Sequence, residues 1–136
     1  MREIRIAMAD IVQDDTHILQ LRNHDPNKAA AGLIGFFGGQ LEEGESSEQA
    51  LHRELGEETT ADPRLGSLTK IGPFAVTMEH DGETLEIVGD CYRLQMPPGT
   101  VVEAKEGSIV TMTDAELLSR TDEMSPATKE AIRRHY

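Results

Sequence analysis

The stretch that decides the fold is Gly39–Ala61, which reads GQLEEGESSEQALHRELGEETTA. Its serine pair followed by a periodic apolar pattern predicts an amphipathic helix with Ser47 as N-cap residue. The helix is expected to end at Glu58 or Thr59, since Asp-Pro follows shortly after. Strand-like patterns lie on both sides of this helix, which indicates a layered α/β protein.

Three glutamates of this helix lie where a solvated helix would not place them. On a wheel of about 100° per residue, Leu51 and Leu55 mark the inward face. Glu54, Glu57 and Glu58 lie within about 100° of one another and overlap that face. Carboxylates at these spacings repel, and the end of a helix disfavours anions. A hard divalent cation would resolve this arrangement, and a glutamate-rich solvated helix is the alternative interpretation.

The flanking segments predict one α/β domain over residues 1–136. The predicted strands are Ile4–Val12, His17–Arg22, the short run Leu33–Phe37, Leu68–Glu79, Thr84–Gln95 and Ser108–Met112. The predicted turns are Asp14-Asp15, Asp25-Pro26-Asn27 within the loop Asn23–Gly32, and His80–Glu83 with its Asp-Gly hairpin signal. Two further helices are predicted, one capped by Thr113 with Glu116 in its capping box, and one from Ser125-Pro126 through Arg134.

Composition limits the partners that the chain can have. Thirteen basic against 25 acidic residues give a net charge of −12, which disfavours a nucleic acid polymer as partner. Solubility alone also explains such a charge, but a phosphorylated small molecule would need a bridging cation. Neither a membrane-spanning stretch nor a signal peptide is apparent, so we expect a cytoplasmic protein without membrane contact. The single Cys91 agrees with a reducing compartment, and the five scattered histidines are expected to be surface or structural residues.

The helix and the loop before it resemble the Nudix box, written G-x5-E-x7-R-E-U-x-E-E-x-G-U, where U is a bulky aliphatic residue. The matching residues are Gly39, Glu45, Arg53, Glu54, Leu55, Glu57 and Glu58. Thr60 departs from the pattern, because the family has glycine there, and Ala61 is small for its position. A β-branched residue tolerates φ > 0 poorly, so we expect the chain to leave this helix by a rebuilt path.

The resemblance implies a Nudix-type α/β/α sandwich with a mixed sheet, and a magnesium-dependent hydrolase that also accepts manganese. It implies that Glu54, Glu57 and Glu58 are catalytic and bind the metal together with the carbonyl of Gly39. One box glutamate, most plausibly Glu54, would instead orient or deprotonate the attacking water. Arg53 and Glu45 complete the catalytic set as a pair that holds carboxylates in place.

Four residues in or before the box are candidates for substrate binding. Gly38 and Gly39 would let the backbone fold around phosphates, and Arg22 would meet a phosphate. Phe37 is the candidate for the base pocket, although Phe36 beside it could exchange roles with it. Glu103 or Glu106 would supply a further acid, with a solvated loop acid as the alternative for both.

The implied reaction is cleavage of a phosphoanhydride bond in a nucleoside diphosphate linked to another group. Among such substrates a nucleoside triphosphate or related small nucleotide is favoured, because the proline associated with ADP-ribose hydrolases is not at its expected spacing. The alternative is a non-catalytic Nudix-fold sensor that binds a nucleotide or a protein. A homodimer is left open.

Overall fold

The computed structural model describes residues 1–23 and 31–136. Its strands are β1 (Arg2–Gln13), β2 (Thr16–Leu21), β3 (Ile34–Gly35), β4 (Phe37–Gln40), β5 (Ser67–His80), β6 (Glu83–Gln95) and β7 (Ser108–Met112). Its α-helices are α1 (Ser47–Glu58), α2 (Asp114–Ser119) and α3 (Pro126–His135), and short 3-10 helices lie at Pro63–Leu65 and Thr121–Glu123. None of the helices in the described ranges is long and apolar enough to cross a membrane.

The described strands form one mixed sheet, as predicted. Its main path runs β3-β2-β1-β6-β5, with β4 paired to β1 and β7 paired to β2. Only the β1–β6 pair is parallel, with Met8 opposite Cys91, and the other pairs are antiparallel. The edge of β1 opposite β6 pairs with two strands. It pairs with β2 near Ile11 and with β4 near Met8. The pairing of β4 with β1 brings the loop before α1 next to the centre of the sheet.

Helices cover both faces of the sheet, so the predicted α/β/α sandwich is confirmed. The core on one face joins α1 to the sheet through Ala50, Leu51 and Leu55. The core on the other face joins α2 and α3 to the sheet, through residues such as Leu117 and Ile132. Because each helix is apolar along one stripe, burying the stripes on opposite faces leaves their polar sides in water.

The prediction of Ser47 as N-cap of α1 is wrong by one residue. Ser46 is the N-cap: its hydroxyl accepts from the backbone N–H of Gln49 at 3.1 Å, and its own N–H donates to the Gln49 side chain at 2.9 Å. The three-residue spacing between Ser46 and Gln49 decides this, since only that spacing closes a capping box. The predicted end of α1 is confirmed at Glu58.

The turn predictions that fall on described residues are confirmed. Asp14 and Asp15 have φ of 50° and 61°, and Asp81 and Gly82 have φ of 52° and 74°. Both pairs adopt the left-handed conformation that tight hairpins require. The predicted strand Leu33–Phe37 is divided between β3 and β4. The turn predicted at Asp25-Pro26-Asn27 lies outside the described residues.

The chain leaves α1 without the positive φ that a glycine would supply. Thr60 is not among the residues with positive φ, and Thr59, the C-cap residue, is extended. The N–H of Thr60 donates to the carbonyl of Glu103 at 3.0 Å, and its hydroxyl accepts from the N–H of Glu103 at 2.8 Å. The same hydroxyl donates to the carbonyl of Val101 at 3.3 Å. The exit is therefore rebuilt as an extended strand segment tied to the loop before β7.

Replacing Thr60→Gly should destabilise the protein by about 1–2 kcal/mol, because it removes two side-chain hydrogen bonds and increases backbone freedom in the unfolded chain. Thr60→Ser, which keeps the hydroxyl, should retain most of the parent stability. Urea unfolding of the three proteins measures the difference. A Thr60→Gly protein that is more stable than the parent would show that the exit is strained.

Candidate active site

A cavity of about 460 Å³ opens where α1, β4 and the loop before β7 meet. Its polar end is lined by Glu54, Glu58, Glu106, Arg22, Gly38, Gly39 and Gln40. Its apolar side is lined by Ile4, Ile6, Met8, Phe36, Met78, Leu85 and Ile87, and its far side by the start of α3, from Ser125 to Thr128. The cavity thus joins an acidic end to an aliphatic end.

Two of the three predicted acids of α1 reach this cavity. The side chain of Glu54 is 15% exposed, and Glu58 as a residue is 6% exposed. The backbone N–H of Gly38 donates to Oε1 of Glu58 at 3.0 Å. Among the described strands β4 pairs only with β1. The Gly38 N–H, on the other edge of β4, can therefore donate to a side chain of α1.

The two glycines of β4 make room for these carboxylates. A Cβ on Gly39 would lie 2.4 Å from the carboxyl carbon of Glu54, so any side chain there would displace that acid. Gly38 has φ of +154°, and a Cβ there would lie 2.1 Å from the carbonyl oxygen of Ala7. Both positions therefore require glycine for close approach of the chain, which agrees with their place in the predicted site.

Arg53 connects the acids to the loop before α1. Its Nε and Nη2 donate to the two carboxylate oxygens of Glu45, each at 2.9 Å, and Nη2 also donates to the carbonyl of Gln40 at 2.9 Å. Its Nη1 donates to Glu54 at 2.7 Å. The predicted pairing of Arg53 with Glu45 is present, and bidentate geometry makes it one of the stronger pairs available to these side chains.

Glu106 joins the site from the opposite side. The carbonyl of Glu58 at the end of α1 accepts from the N–H of Lys105 at 2.6 Å, which fastens this loop to the helix. The side chain of Gln20 donates to the carbonyl of Glu106 at 3.0 Å. Glu106 lines the cavity, whereas Glu103 is tied by its backbone to Thr60. Of the two candidates, the structure therefore brings Glu106 to the site.

The choice of Phe37 for the base pocket is wrong. Phe37 is completely buried in the core on the α1 face, where it packs with residues such as Leu51. Phe36 points to the opposite face and lines the cavity. Successive residues along an extended chain face opposite sides, so only one of the pair can reach the cavity.

Glu57 lies outside the cavity, unlike its two neighbours on α1. Its side chain is 56% exposed and lies 3.5 Å from Nη1 of Arg53, one helical turn earlier. As the side chains stand, no group of three or more His, Cys, Asp or Glu within residues 1–23 and 31–136 is arranged to hold a metal ion. The convergence of all three box acids expected from the helical wheel is therefore incomplete, because Arg53 draws Glu57 and one oxygen of Glu54 towards itself.

The donor set nevertheless fits a hard divalent cation. Glu54, Glu58 and Glu106 line one cavity, and carboxylate oxygens are the ligands that magnesium prefers. Burial, together with the charges of Glu54 and Glu106, raises the pKa of Glu58 to about 7 against the opposing effects of the Gly38 N–H and Arg22. Burial also raises the pKa of Glu54, although Arg53 opposes it. A cation at this end of the cavity would favour the charged form of both carboxylates and so oppose both shifts.

Several cavity residues were not anticipated from the sequence. Met78, Leu85 and Ile87 come from the β5–β6 hairpin, and the far side comes from the first turn of α3. Each was readable as part of a strand or helix, but no local pattern indicates that these elements face the same cavity. Only the parallel pairing of β6 with β1 brings the hairpin beside the site.

A comparison with protein families identifies one family. The family model described as NUDIX domain matches residues 1–134 of the chain. A comparison with curated proteins gives no significant match.

Among solved structures, the chain is similar to the MutT protein from Methanosarcina mazei Go1, with a TM-score of 0.76 and 18% identity over 98% of this chain and 92% of that one. It is similar to the E. coli dihydroneopterin triphosphate pyrophosphohydrolase, with a TM-score of 0.71 and 17% identity over 98% and 97% of the two chains. It is also similar to the Nudix domain of Shewanella oneidensis NrtR complexed with ADP ribose, with a TM-score of 0.71 and 20% identity over 98% and 88%. At these identities the structural likeness shows the fold.

The raised pKa of Glu58 predicts a stability penalty that grows with pH in metal-free protein. The folded state binds a proton that the unfolded state releases at about pH 4.5, so the free energy of unfolding falls as pH rises from there to about 7. Between about pH 5 and 8 the parent should lose about 2 kcal/mol more than Glu58→Gln.

Urea unfolding in EDTA at the two pH values measures this loss. Glu48→Gln, which removes a charge from the exposed first turn of α1, is the matched control and should follow the parent. If Glu58→Gln follows the parent as well, then Glu58 is not a protonated buried acid.

Proposed function

This chain belongs to the Nudix domain family, and from that premise we propose that it is a divalent-metal-dependent hydrolase that cleaves a phosphoanhydride bond. We infer that its substrate is a nucleoside diphosphate linked to another group, with a nucleoside triphosphate or related small nucleotide favoured. Two of the similar structures are a dihydroneopterin triphosphate pyrophosphohydrolase and a Nudix domain complexed with ADP ribose, and both compounds contain such a bond.

The observation that carries this proposal is the meeting of Glu54, Glu58 and Glu106 at one end of a cavity whose other end is aliphatic. An acidic cluster that bound no cation would repel a phosphate chain, whereas with a cation the same cluster attracts it. The aliphatic end accepts a flat, weakly polar group such as a nucleobase. A cavity of about 460 Å³ with both kinds of lining suits a phosphorylated nucleoside better than a simple phosphate.

In the proposed site Glu54, Glu57 and Glu58 hold magnesium, with the carbonyl of Gly39 and the carboxylate of Glu106 as further donors. Manganese, which also prefers oxygen ligands, would substitute for it. When bound, the metal supplies electrophilic polarisation of the phosphates.

The protein's own groups supply position and proton transfer. Glu54 is held by Arg53 at 2.7 Å and has a raised pKa, so it is suited to orient a water and accept its proton. Arg22 is the single cationic side chain among the described residues that line the cavity, and we assign it to a phosphate oxygen. The backbone at Gly38 and Gly39 allows the phosphates to approach the sheet closely.

The remaining features of the chain agree with a small-molecule enzyme of the cytoplasm, which we propose as its location. The net charge of −12 opposes binding of a nucleic acid polymer. Cys91 is a free, buried thiol, as expected in a reducing compartment.

The first test is a phosphate-release screen over a nucleotide panel, with magnesium, with manganese and with EDTA. Hydrolysis that requires the metal supports the proposal, and tight binding without turnover would favour the sensor alternative. The panel includes nucleoside triphosphates and ADP-ribose, so the same screen identifies the substrate class.

Glu57→Gln and Glu58→Gln should each lower kcat on the best panel substrate by a factor of about ten or more, because each removes a charged metal ligand. Glu48→Gln on the same helix is the control and should retain the parent rate. Circular dichroism confirms that each variant is folded. Parent-like turnover in both ligand variants would exclude the assigned metal site.

Met78→Ala should raise KM by about three- to tenfold and leave kcat nearly unchanged, because it removes apolar contact with the base and not with the reacting phosphates. Leu65→Ala, a similar change on an exposed surface outside the cavity, should alter neither constant. Steady-state kinetics on the best panel substrate measures both. An unchanged KM for Met78→Ala would place the base elsewhere.

A further inference from the structure

A second group of titratable side chains lies further along β1, past the end of the catalytic cavity. Asp10 on β1 and His17 on β2 are 0% and 3% exposed. Asp114, the first residue of α2, is exposed and reaches His17 from outside. Arg93 on β6 and Tyr136, which follows α3, complete the group. These residues take no part in the proposed catalytic site.

The contacts of His17 identify its protonation state. Its Nδ1 lies 2.8 and 2.9 Å from the two carboxylate oxygens of Asp10, and its Nε2 lies 2.5 Å from Oδ1 of Asp114. A neutral imidazole has one N–H, so one of these contacts would set a lone pair against a carboxylate oxygen. The imidazolium donates to both acids. His17 is therefore the cation of a buried Asp–His–Asp bridge.

The bridge continues to the end of α3. The hydroxyl of Tyr136 donates to Oδ2 of Asp10 at 2.5 Å, and Nη2 of Arg93 lies 3.7 Å from the same oxygen. The guanidinium of Arg93 lies 5.3 Å from the centre of the Tyr136 ring. That ring in turn stacks on Phe36, with centroids 6.2 Å apart and planes inclined by 30°. Phe36 is the aromatic side chain of the catalytic cavity.

We propose that protonated His17 fastens Tyr136 over Asp10 and against Phe36, so that the aromatic wall of the catalytic cavity is held by a pH-sensitive clamp. When His17 loses its proton, the buried Asp10 carboxylate loses its closest cationic partner and two carboxylates face one N–H. Arg93 at 3.7 Å is too distant to replace that hydrogen bond. An undercompensated buried anion favours entry of water. Tyr136, 37% exposed, donates to this acid from the side nearest solvent, so water that reaches Asp10 competes with its hydroxyl for the carboxylate.

The direction of the pH effect follows from the groups around His17. Burial disfavours its charged form, but the hydrogen bonds and charges of Asp10 and then Asp114 outweigh burial, so the pKa of His17 is raised above its ordinary value of 6.5. A raised imidazole pKa contributes stability below about pH 6.5 that is lost as pH rises through the folded-state pKa. Asp15, at the β1–β2 turn, lines the same surface cavity and adds to the negative field. The clamp is thus closed in acid and released in alkali.

Tyrosine fluorescence gives a direct reading of the clamp, because the chain has two tyrosines and no tryptophan. In a Tyr92→Phe background Tyr136 is the only emitter, and its hydrogen bond to a carboxylate quenches it. Burial keeps the pKa of Tyr136 well above its ordinary value, so the phenol itself does not titrate in the range used. Emission should rise in one transition as pH is raised, with its midpoint above the ordinary imidazole pKa of 6.5. NMR titration of the His17 imidazole should show the same midpoint.

Asp114→Asn provides the decisive variant, because Asp114 is exposed and its removal spares the buried pair. It should lower the midpoint by about one pH unit, since one neighbouring carboxylate has been neutralised. Asp122→Asn removes an exposed acid from the adjacent 3-10 helix without touching His17, and its midpoint should equal that of the background. His17→Gln should abolish the transition. Constant emission in the background protein, or equal midpoints for the two Asn variants, would overturn the clamp even if His17→Gln fails to fold.

The effect on catalysis rests on the proposed function, whereas the clamp does not. For the best panel substrate, the KM of Asp114→Asn should rise at a lower pH than that of Asp122→Asn, with kcat following the same pH profile in both. If the fluorescence midpoints differ and the KM profiles coincide, then the clamp does not act on the cavity. If no nucleotide is hydrolysed, the fluorescence measurement still decides whether the clamp exists.

Discussion

The ion pairs of Arg53 determine how the loop before α1 and the helix itself are held together. One guanidinium binds both oxygens of Glu45, the carbonyl of Gln40 and one oxygen of Glu54. Gln40 ends β4, so the same side chain anchors the helix to the strand whose glycines face its acids. The Arg53 guanidinium holds the pKa of Glu45 at about 2, which keeps this partner charged at any physiological pH. Without that pair, repulsion among neighbouring glutamates would separate helix and loop.

A second constraint acts at the other end of α1, where the helix turns directly into contact with the loop before β7. The carbonyl of Glu58 and the backbone and hydroxyl of Thr60 are all bonded to that loop. Helix carbonyls at a C-terminus need partners, and here they find them in the loop that carries Glu106. Thr60, which stands where the family has glycine, therefore helps to hold the loop that places Glu106 in the cavity. The contacts of Arg53 and Thr60 therefore position α1 and the loop before β7, the two segments that carry the acids of the cavity.

The two faces of the sheet differ in how completely the helices cover them. The face covered by α1 is a closed core in which Phe37 and Leu55 are completely buried. The opposite face is closed only in part by α2 and α3, and it carries both the cavity of the candidate active site and the Asp10–His17 bridge. Phe36 and Tyr136 stack between these two features. The stack of Phe36 and Tyr136 thus lies between the Asp10–His17 bridge and the aliphatic part of the cavity.

The sequence by itself determined the helices, the strands and the residues of the box, because these depend on residues close together in the chain. The period of Leu51 and Leu55, the Asp-Gly turn and the capping-box spacings are local signals, and the predicted helices and strands agree with the structure to within a few residues. The pairing of Arg53 with Glu45 was also readable, since it follows from the box spacing. The register of the N-cap was misjudged because two adjacent serines offer the same side chain, and only the Ser46–Gln49 spacing separates them.

Only the tertiary structure decided which residues share the cavity. Whether Phe36 or Phe37 faces it depends on how β3 and β4 join the sheet, and the choice of Glu106 over Glu103 depends on which loop backbone bonds to α1. The outward position of Glu57 results from competition for Arg53, which a helical wheel does not contain. The contacts of Asp10 with His17 and Tyr136, and of His17 with Asp114, join residues as many as 126 positions apart. Such contacts are set by strand pairing and helix packing, and neither leaves a mark at a fixed spacing along the chain.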